Sequence, residues 1–133
     1  MQETDGAGTG ARGIAGLPVL IVEDEALVLM LLEDMLADHG CSVAGSASRI
    51  SHALALATDL DLAFDAAILD VNLGGDPIFP VAEALAARGA PIVFATGYGA
   101  GGLPEAWRGR PTLQKPFNHA DVGKALAEAM ASA

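Results

Sequence analysis

One cysteine, seven basic residues and no apolar run longer than Ala26 to Leu32 are what this 133-residue chain has in short supply. Cys41 alone can form neither an internal disulfide nor a structural zinc site, which predicts a reducing, cytoplasmic setting. Its place beside Ser42 and Val43 reads as that of a small core residue. Seven scattered Lys and Arg against seventeen Asp and Glu give a formal charge of −10. Binding nucleic acid through a basic face needs clustered cations, so that class of function is excluded. The Ala26–Leu32 run falls far short of the ~20 apolar residues that span a bilayer, so no membrane partner is expected. The opening stretch, MQETDGAGTGARGIAG, lacks the apolar centre of a signal peptide and reads as a flexible arm over residues 1–16, followed by one domain over 17–133. No internal repeat is present.

What the chain does have is a globular composition, 52% hydrophobic and 18% charged, and enough length for a single self-supporting core. Short β-type runs alternate with helical patterns from Leu17 onward. Leu17 to Val22 is continuously apolar, the mark of a strand buried on both faces. Glu25 to Asp38 reads as a helix closed by His39 and Gly40. Cys41 to Ala47 is a weaker strand, and Ser48 is placed to cap a helix running to Asp59. Ala66 to Leu69 is a third strand, followed by the breaker cluster Asn72 to Pro77. A helix to Arg88 then tolerates Pro80 only in its first turn. Pro91 to Ala95 and Thr112 to Gln114 complete the strands. Asn118 and Asp121 form a capping-box start for a last helix whose Val122, Ala125, Leu126, Ala129 and Met130 share one face. Alternation on this scale predicts an α/β fold, a parallel sheet covered by helices on both faces.

In such a sheet the ligand crevice lies at the carboxyl ends of the strands. Here those ends carry Glu23 and Asp24 (with Glu25 next), Asp70 with Asn72 two residues on, Thr96, and Lys115. Singly, each has an ordinary reading: acidic residues favour helix starts, Asp forms turns, and Thr and Lys suit a surface. Their coincidence on one edge points instead to metal-assisted phosphoryl capture. Mg²⁺, or Mn²⁺ in its stead, binds through one or two carboxylates plus waters and phosphate oxygens. Asp24 and Asp70 are the expected direct ligands, with Glu23 direct or through a water. An aspartate can attack phosphorus to give an acyl phosphate, while Lys115 and the Thr96 hydroxyl stabilise the transferring group.

Gly97, Gly99 and Gly102 spell the G-x-G-x-x-G of a dinucleotide loop. That fingerprint belongs after the first strand and opens a long helix. Here it follows the fourth strand, and Leu103 to Arg108 can make barely one or two turns before Gly109 and Pro111. A weakly helical segment over 97–109, ordered or shifted by phosphorylation, is the better expectation.

The set LIVEDE, ILDVN, FATGYG and QKPF, in that order and spacing from about Leu17 to Met130, resembles the receiver domain of two-component response regulators. FATGYG in particular resembles an atypical, single-domain receiver type of Alphaproteobacteria. The resemblance implies a flavodoxin-like doubly wound sheet of five parallel strands, order 2-1-3-4-5, with a degenerate fourth helix. It implies Asp70 as phosphoacceptor, Glu23 and Asp24 as the acidic pair, the Asn72 backbone carbonyl as a further Mg²⁺ ligand, Thr96 as switch hydroxyl, Lys115 as the site lysine, and a cis Lys115–Pro116 bond. It also implies a sensor histidine kinase, or a histidine phosphotransferase, as donor. Two positions depart from the family pattern. The acidic pair is Glu-Asp instead of Asp-Asp, and Thr112 stands where the family carries the aromatic switch, leaving Tyr98 and Trp107 as replacements for it. The expected module is a stand-alone, non-enzymatic receiver acting by protein–protein contact or as a phosphate sink; the residues assign neither its downstream partner nor its oligomeric state. A haloacid-dehalogenase-like phosphatase is the alternative, but it needs a second Asp where Asn72 stands. A flavin module on the same fold needs a phosphate loop where this chain has carboxylates. His39, His52 and His119 lack metal-ligand spacing and read as surface or capping residues.

Overall fold

The apolar runs become the centre of the sheet because alternate residues of a strand face opposite ways, so a run without polar interruption must be covered twice. The computed structural model describes residues 13–97 and 102–132. Its main sheet comprises β1 (Pro18–Val22), β2 (Ser42–Ala47), β3 (Ala66–Asp70), β4 (Ile92–Thr96) and β5 (Thr112–Gln114). All pairings are parallel and the spatial order is β2-β1-β3-β4-β5, the flavodoxin-like arrangement. Four α-helices flank it among the described residues: α1 (Ala26–Asp38), α2 (Ile50–Thr58), α3 (Phe79–Ala87) and α4 (His119–Ala131).

Each central strand is divided between two cores. Val19, Ile21, Ala66, Ile68, Val93 and Ala95 face α1 and α4, meeting Leu32, Met35 and Leu36 of the former and Val122, Leu126 and Ala129 of the latter. Leu20, Val22, Ala67, Leu69, Ile92 and Phe94 face α2 and α3, meeting Ala53, Ala57, Val81, Ala82 and Leu85. A fully buried Leu or Ile side chain contributes about 1.5–3 kcal/mol relative to exposure, so this double coverage supplies most of the driving force for the parallel sheet.

The ends of the elements follow local chemistry, with three differences from the sequence reading. The α4 capping box is present: Asn118 Oδ1 accepts from the Asp121 N–H and Asp121 Oδ2 from the Asn118 N–H, both at 2.9 Å. Gly40 follows α1 at φ +79° and its carbonyl accepts from the Gly16 N–H at 2.8 Å. The α2 cap is Arg49, without a side-chain bond, and not Ser48. Residues 13–16, read as the end of the arm, form a turn that buries Ile14 completely, and the Cys41 thiol donates to the Ile14 carbonyl at 3.2 Å. The breaker cluster after β3 is itself ordered, as an antiparallel hairpin of Asn72–Leu73 with Asp76–Pro77. After β4, the described part of the 97–109 segment holds a 3-10 turn, Glu105–Trp107, and no α-helix.

Candidate functional site

Parallel register brings the strand ends level. Val22 pairs with Leu69, Asp70 with Ala95, and Thr96 with Gln114, so β1, β3, β4 and β5 deliver their next residues to one edge. The Glu23 N–H continues the β1–β2 ladder to the Ala47 carbonyl at 3.0 Å, which turns the Glu23 side chain inward. It is 1% exposed, and Asp70 and Thr96 are the only other buried polar side chains among the described residues. Asp24 is exposed.

Glu23, Asp24 and Asp70 each offer an oxygen, all within 4.8 Å of one another. The Lys115 ammonium lies 3.3 Å from Glu23 Oε1, 3.5 Å from Asp70 Oδ2 and 3.7 Å from Glu25 Oε1. Its backbone is pinned alongside: the Lys115 N–H donates to the Thr96 carbonyl at 2.9 Å, and the Lys115–Pro116 bond is cis. Two more backbone donors hold the carboxylates, Glu25 N–H to Glu23 Oε2 at 3.1 Å and Asn72 N–H to Asp70 Oδ1 at 3.3 Å.

The electrostatics are those of a crowded anionic pocket. Burial, reinforced by the Asp70 charge, pushes the Glu23 carboxyl up to about 7, against the Glu25 N–H and Lys115. Burial likewise raises Asp70, opposed chiefly by Lys115 and the Asn72 N–H. For Lys115, burial favours the neutral amine, but Asp70 and Glu23 outweigh it and its pKa rises. One lysine is therefore too little for two buried carboxylates and their exposed neighbours. The shortage is visible at Glu23 Oε1, which is buried and lacks a hydrogen bond: the ammonium at 3.3 Å supplies charge without alignment. An all-oxygen set with an orphaned carboxylate oxygen fits a hard divalent cation.

The sequence-predicted residues Glu23, Asp24, Asp70, Thr96 and Lys115 thus meet at one edge. Asn72 sits at the base of the hairpin, with its N–H turned to Asp70. Tyr98 lies outside the described residues. Thr112 is on β5 in register with Phe94 and its hydroxyl donates to the Arg110 carbonyl at 3.2 Å. Trp107 stacks on Phe79 at 6.4 Å and meets the fully buried Phe94 edge-on at 5.7 Å, with the Arg110 guanidinium 5.6 Å from its ring. Sequence reasoning gave no role to Glu25, which contributes both a carboxylate and a backbone donor; its place directly after the acidic pair was the available signal. It also missed the contact of His39 with α4. The His39 ring bonds the His119 carbonyl at 2.6 Å and lies where a Cβ on Gly123 would stand, while His119 pairs with Asp38 at 2.6 Å.

A groove of about 510 Å³ runs between β5 and α4, lined by Gln114, Lys115, Lys124 and Glu128 among others, and shares only Lys115 with the acidic cluster. The cluster itself is small and anionic, suited to an ion and a phosphoryl group. No helix among the described residues is long and apolar enough to cross a membrane.

Known proteins share this fold. Residues 19–127 match the model of the response regulator receiver domain. The chain is 35% identical over 125 residues to the transcriptional regulatory protein PdtaR of Mycobacterium tuberculosis, an alignment covering 91% of this chain and 60% of that protein's length. The solution structure of SdrG from Sphingomonas melonis Fr1 superposes with a TM-score of 0.77 at 48% identity, covering 86% of this chain and 97% of that one. A BeF3-activated conformation of SdrG gives 0.74 at the same identity, covering 87% and 98%. The PhyR receiver domain of Erythrobacter litoralis gives 0.72 at 26% identity, covering 87% and 91%. With the sheet order, the acidic edge and the site lysine in place, the chain belongs to the response regulator receiver domain family of two-component signalling proteins.

Proposed function

We propose that this chain is a phosphoacceptor module that takes a phosphoryl group onto Asp70 from a phosphohistidine of a sensor histidine kinase or a histidine phosphotransferase. The observation that carries the reading is the convergence of Glu23, Asp24 and Asp70 with the Lys115 ammonium at the carboxyl edge of the sheet. An Asp70 carboxylate oxygen attacks phosphorus as the phosphorus–nitrogen bond of the donor breaks. The bonding pair leaves with the imidazole nitrogen, which is then protonated from water, and Asp70 becomes an acyl phosphate. Glu23, Asp24, Asp70 and the Asn72 carbonyl would hold Mg²⁺ or Mn²⁺; when bound, the cation supplies the positive charge the pocket lacks and orients the donor's phosphoryl oxygens. Lys115 and the Thr96 hydroxyl engage those oxygens after transfer.

A donor protein needs a surface beside Asp70. The N-terminal half of α1, which begins three residues after Glu23, presents Leu27, Met30 and Leu31, exposed by 75%, 57% and 53%. Their i, i+3, i+4 spacing makes a continuous apolar ridge, suited to packing against a helix that carries the donor histidine. Output then passes by protein–protein contact, or the module drains phosphoryl groups as a sink. The phosphatase alternative is disfavoured because Asn72, an amide, cannot act as the second acid/base. The ring missing at Thr112 is supplied by Trp107, which covers Phe94, the residue in register with Thr112 and on the same face as Thr96.

The test is incubation with acetyl phosphate or a phosphorylated kinase, with and without Mg²⁺, followed by intact mass. A metal-dependent gain of about 80 Da, one phosphoryl group, is expected in the wild type and not in Asp70→Asn. Equal gain in both refutes the assignment.

A further inference from the structure

The hairpin after β3 turns on two adjacent glycines, Gly74 at φ +60° and Gly75 at φ +94°. A two-residue turn with positive φ at both positions requires residues that tolerate the left-handed region, so conformation explains both glycines alike. Their surroundings differ. A Cβ on Gly75 would meet nothing within 4 Å, whereas one on Gly74 would stand 3.7 Å from Asp24 Oδ2.

The tip is held there from its base. Leu73 and Ile78 are 3% and 0% exposed, and the Ile78 N–H donates to the Val71 carbonyl at 3.2 Å. The Asn72 N–H on Asp70 Oδ1 ties the first hairpin strand to the phosphoacceptor itself. The hairpin thus fixes where its tip comes relative to two of the three clustered carboxylates. Asp24 is the exposed member of that cluster, and its Oδ2 lies toward the tip.

We propose that Gly74 is a positioning residue of the cation site: the hairpin tip walls one side of Asp24, and the missing side chain leaves room beside Oδ2 for the water that a bound Mg²⁺ keeps. Mg²⁺ dehydrates reluctantly and retains several waters in an octahedral shell, so a ligand oxygen crowded by a side chain binds it less well. The proposal rests on the reading that Glu23, Asp24 and Asp70 hold a divalent cation. It adds a requirement that none of those ligands expresses, an open flank at the turn.

The two glycines provide their own control. Asn tolerates positive φ, so Gly74→Asn and Gly75→Asn both keep the turn, but only the first adds atoms beside Asp24. Apparent Mg²⁺ affinity is read from thermal stability against MgCl₂ concentration, and independently from Trp107 fluorescence. Gly74→Asn is expected to weaken Mg²⁺ by about tenfold, the low end for residues that support metal ligands, and Gly75→Asn not at all. Equal weakening in the two Asn variants would trace the effect to the hairpin as a whole and overturn the proposal. Tighter binding by Gly74→Asn would make the amide a ligand and overturn it too. A wild type whose stability ignores Mg²⁺ would instead remove the cation reading beneath it, a failure seen before any variant is made.

Discussion

Replacing Glu23 with Gln tests how much of the pocket's electrostatic strain is stored in one carboxyl. Glu23 is 1% exposed and its pKa is raised from 4.5 to about 7, first by burial and then by the Asp70 charge. A carboxyl with a raised native pKa binds its proton more tightly when folded. Its contribution to stability is therefore greatest below pH 4.5, declines between 4.5 and about 7, and is constant above. At about 1.4 kcal/mol per pKa unit, the full span is about 3 kcal/mol. Gln cannot ionise, yet its carbonyl oxygen can still accept the Glu25 N–H. In EDTA at pH 8, Glu23→Gln is expected to be more stable than wild type by up to about 3 kcal/mol, the Lys115 attraction being already contained in the raised pKa, or about 10 °C in Tm. The advantage should vanish near pH 4.5. Urea unfolding of both proteins at several pH values gives the difference directly and cancels every other titrating group. Mg²⁺ at 100-fold its Kd should close most of that gap, since it stabilises the wild type by ~2.7 kcal/mol and the variant lacks one ligand, and at 1,000-fold, where the gain is ~4.1 kcal/mol, it should reverse the order. A stability difference that is flat from pH 4.5 to 8, or a less stable variant in EDTA at pH 8, would refute the account.

Leu31→Glu, on the exposed ridge of α1, is expected to slow phosphotransfer from a protein donor at least tenfold, as loss of a central apolar anchor does, while leaving labelling by acetyl phosphate unchanged; equal slowing of both would place Leu31 in the pocket's own chemistry. Trp107 is the sole tryptophan, so beryllium fluoride with Mg²⁺ should change its emission in wild type and not in Thr96→Ala; an identical response in both would separate Trp107 from the threonine.

The parts of the site that were legible from sequence are those set by periodicity. Glu23, Asp70 and Thr96 each follow an apolar run and Lys115 follows the short β-type run Thr112–Gln114, and once the runs are parallel strands their ends must share an edge. Asn118 and Asp121 were legible because a capping box is a local pattern. Ile14 was not, since one apolar residue among glycines carries no period, and only the folded chain supplies the cover that buries it. The hairpin was hidden because its strands are two residues each, too short for alternation to register, and because glycines that break one element serve equally well to turn another. Gly123 is a further case. In sequence it only weakens a helix, by about 1 kcal/mol against Ala, whereas in the fold it is the place where the His39 ring lies.

The buried carboxylates stand at the ends of β1 and β3, which are neighbours in space with α1, β2 and α2 between them along the chain, and their lysine follows β5. Such contacts form only after long loops close, which places their formation late and makes it costly in chain entropy. The pocket is consequently a property of the completed sheet. A chain that has not finished folding presents no acidic cluster to a cation and no aligned aspartate to a donor. Signalling competence and global folding should therefore appear together during refolding, within one cooperative transition.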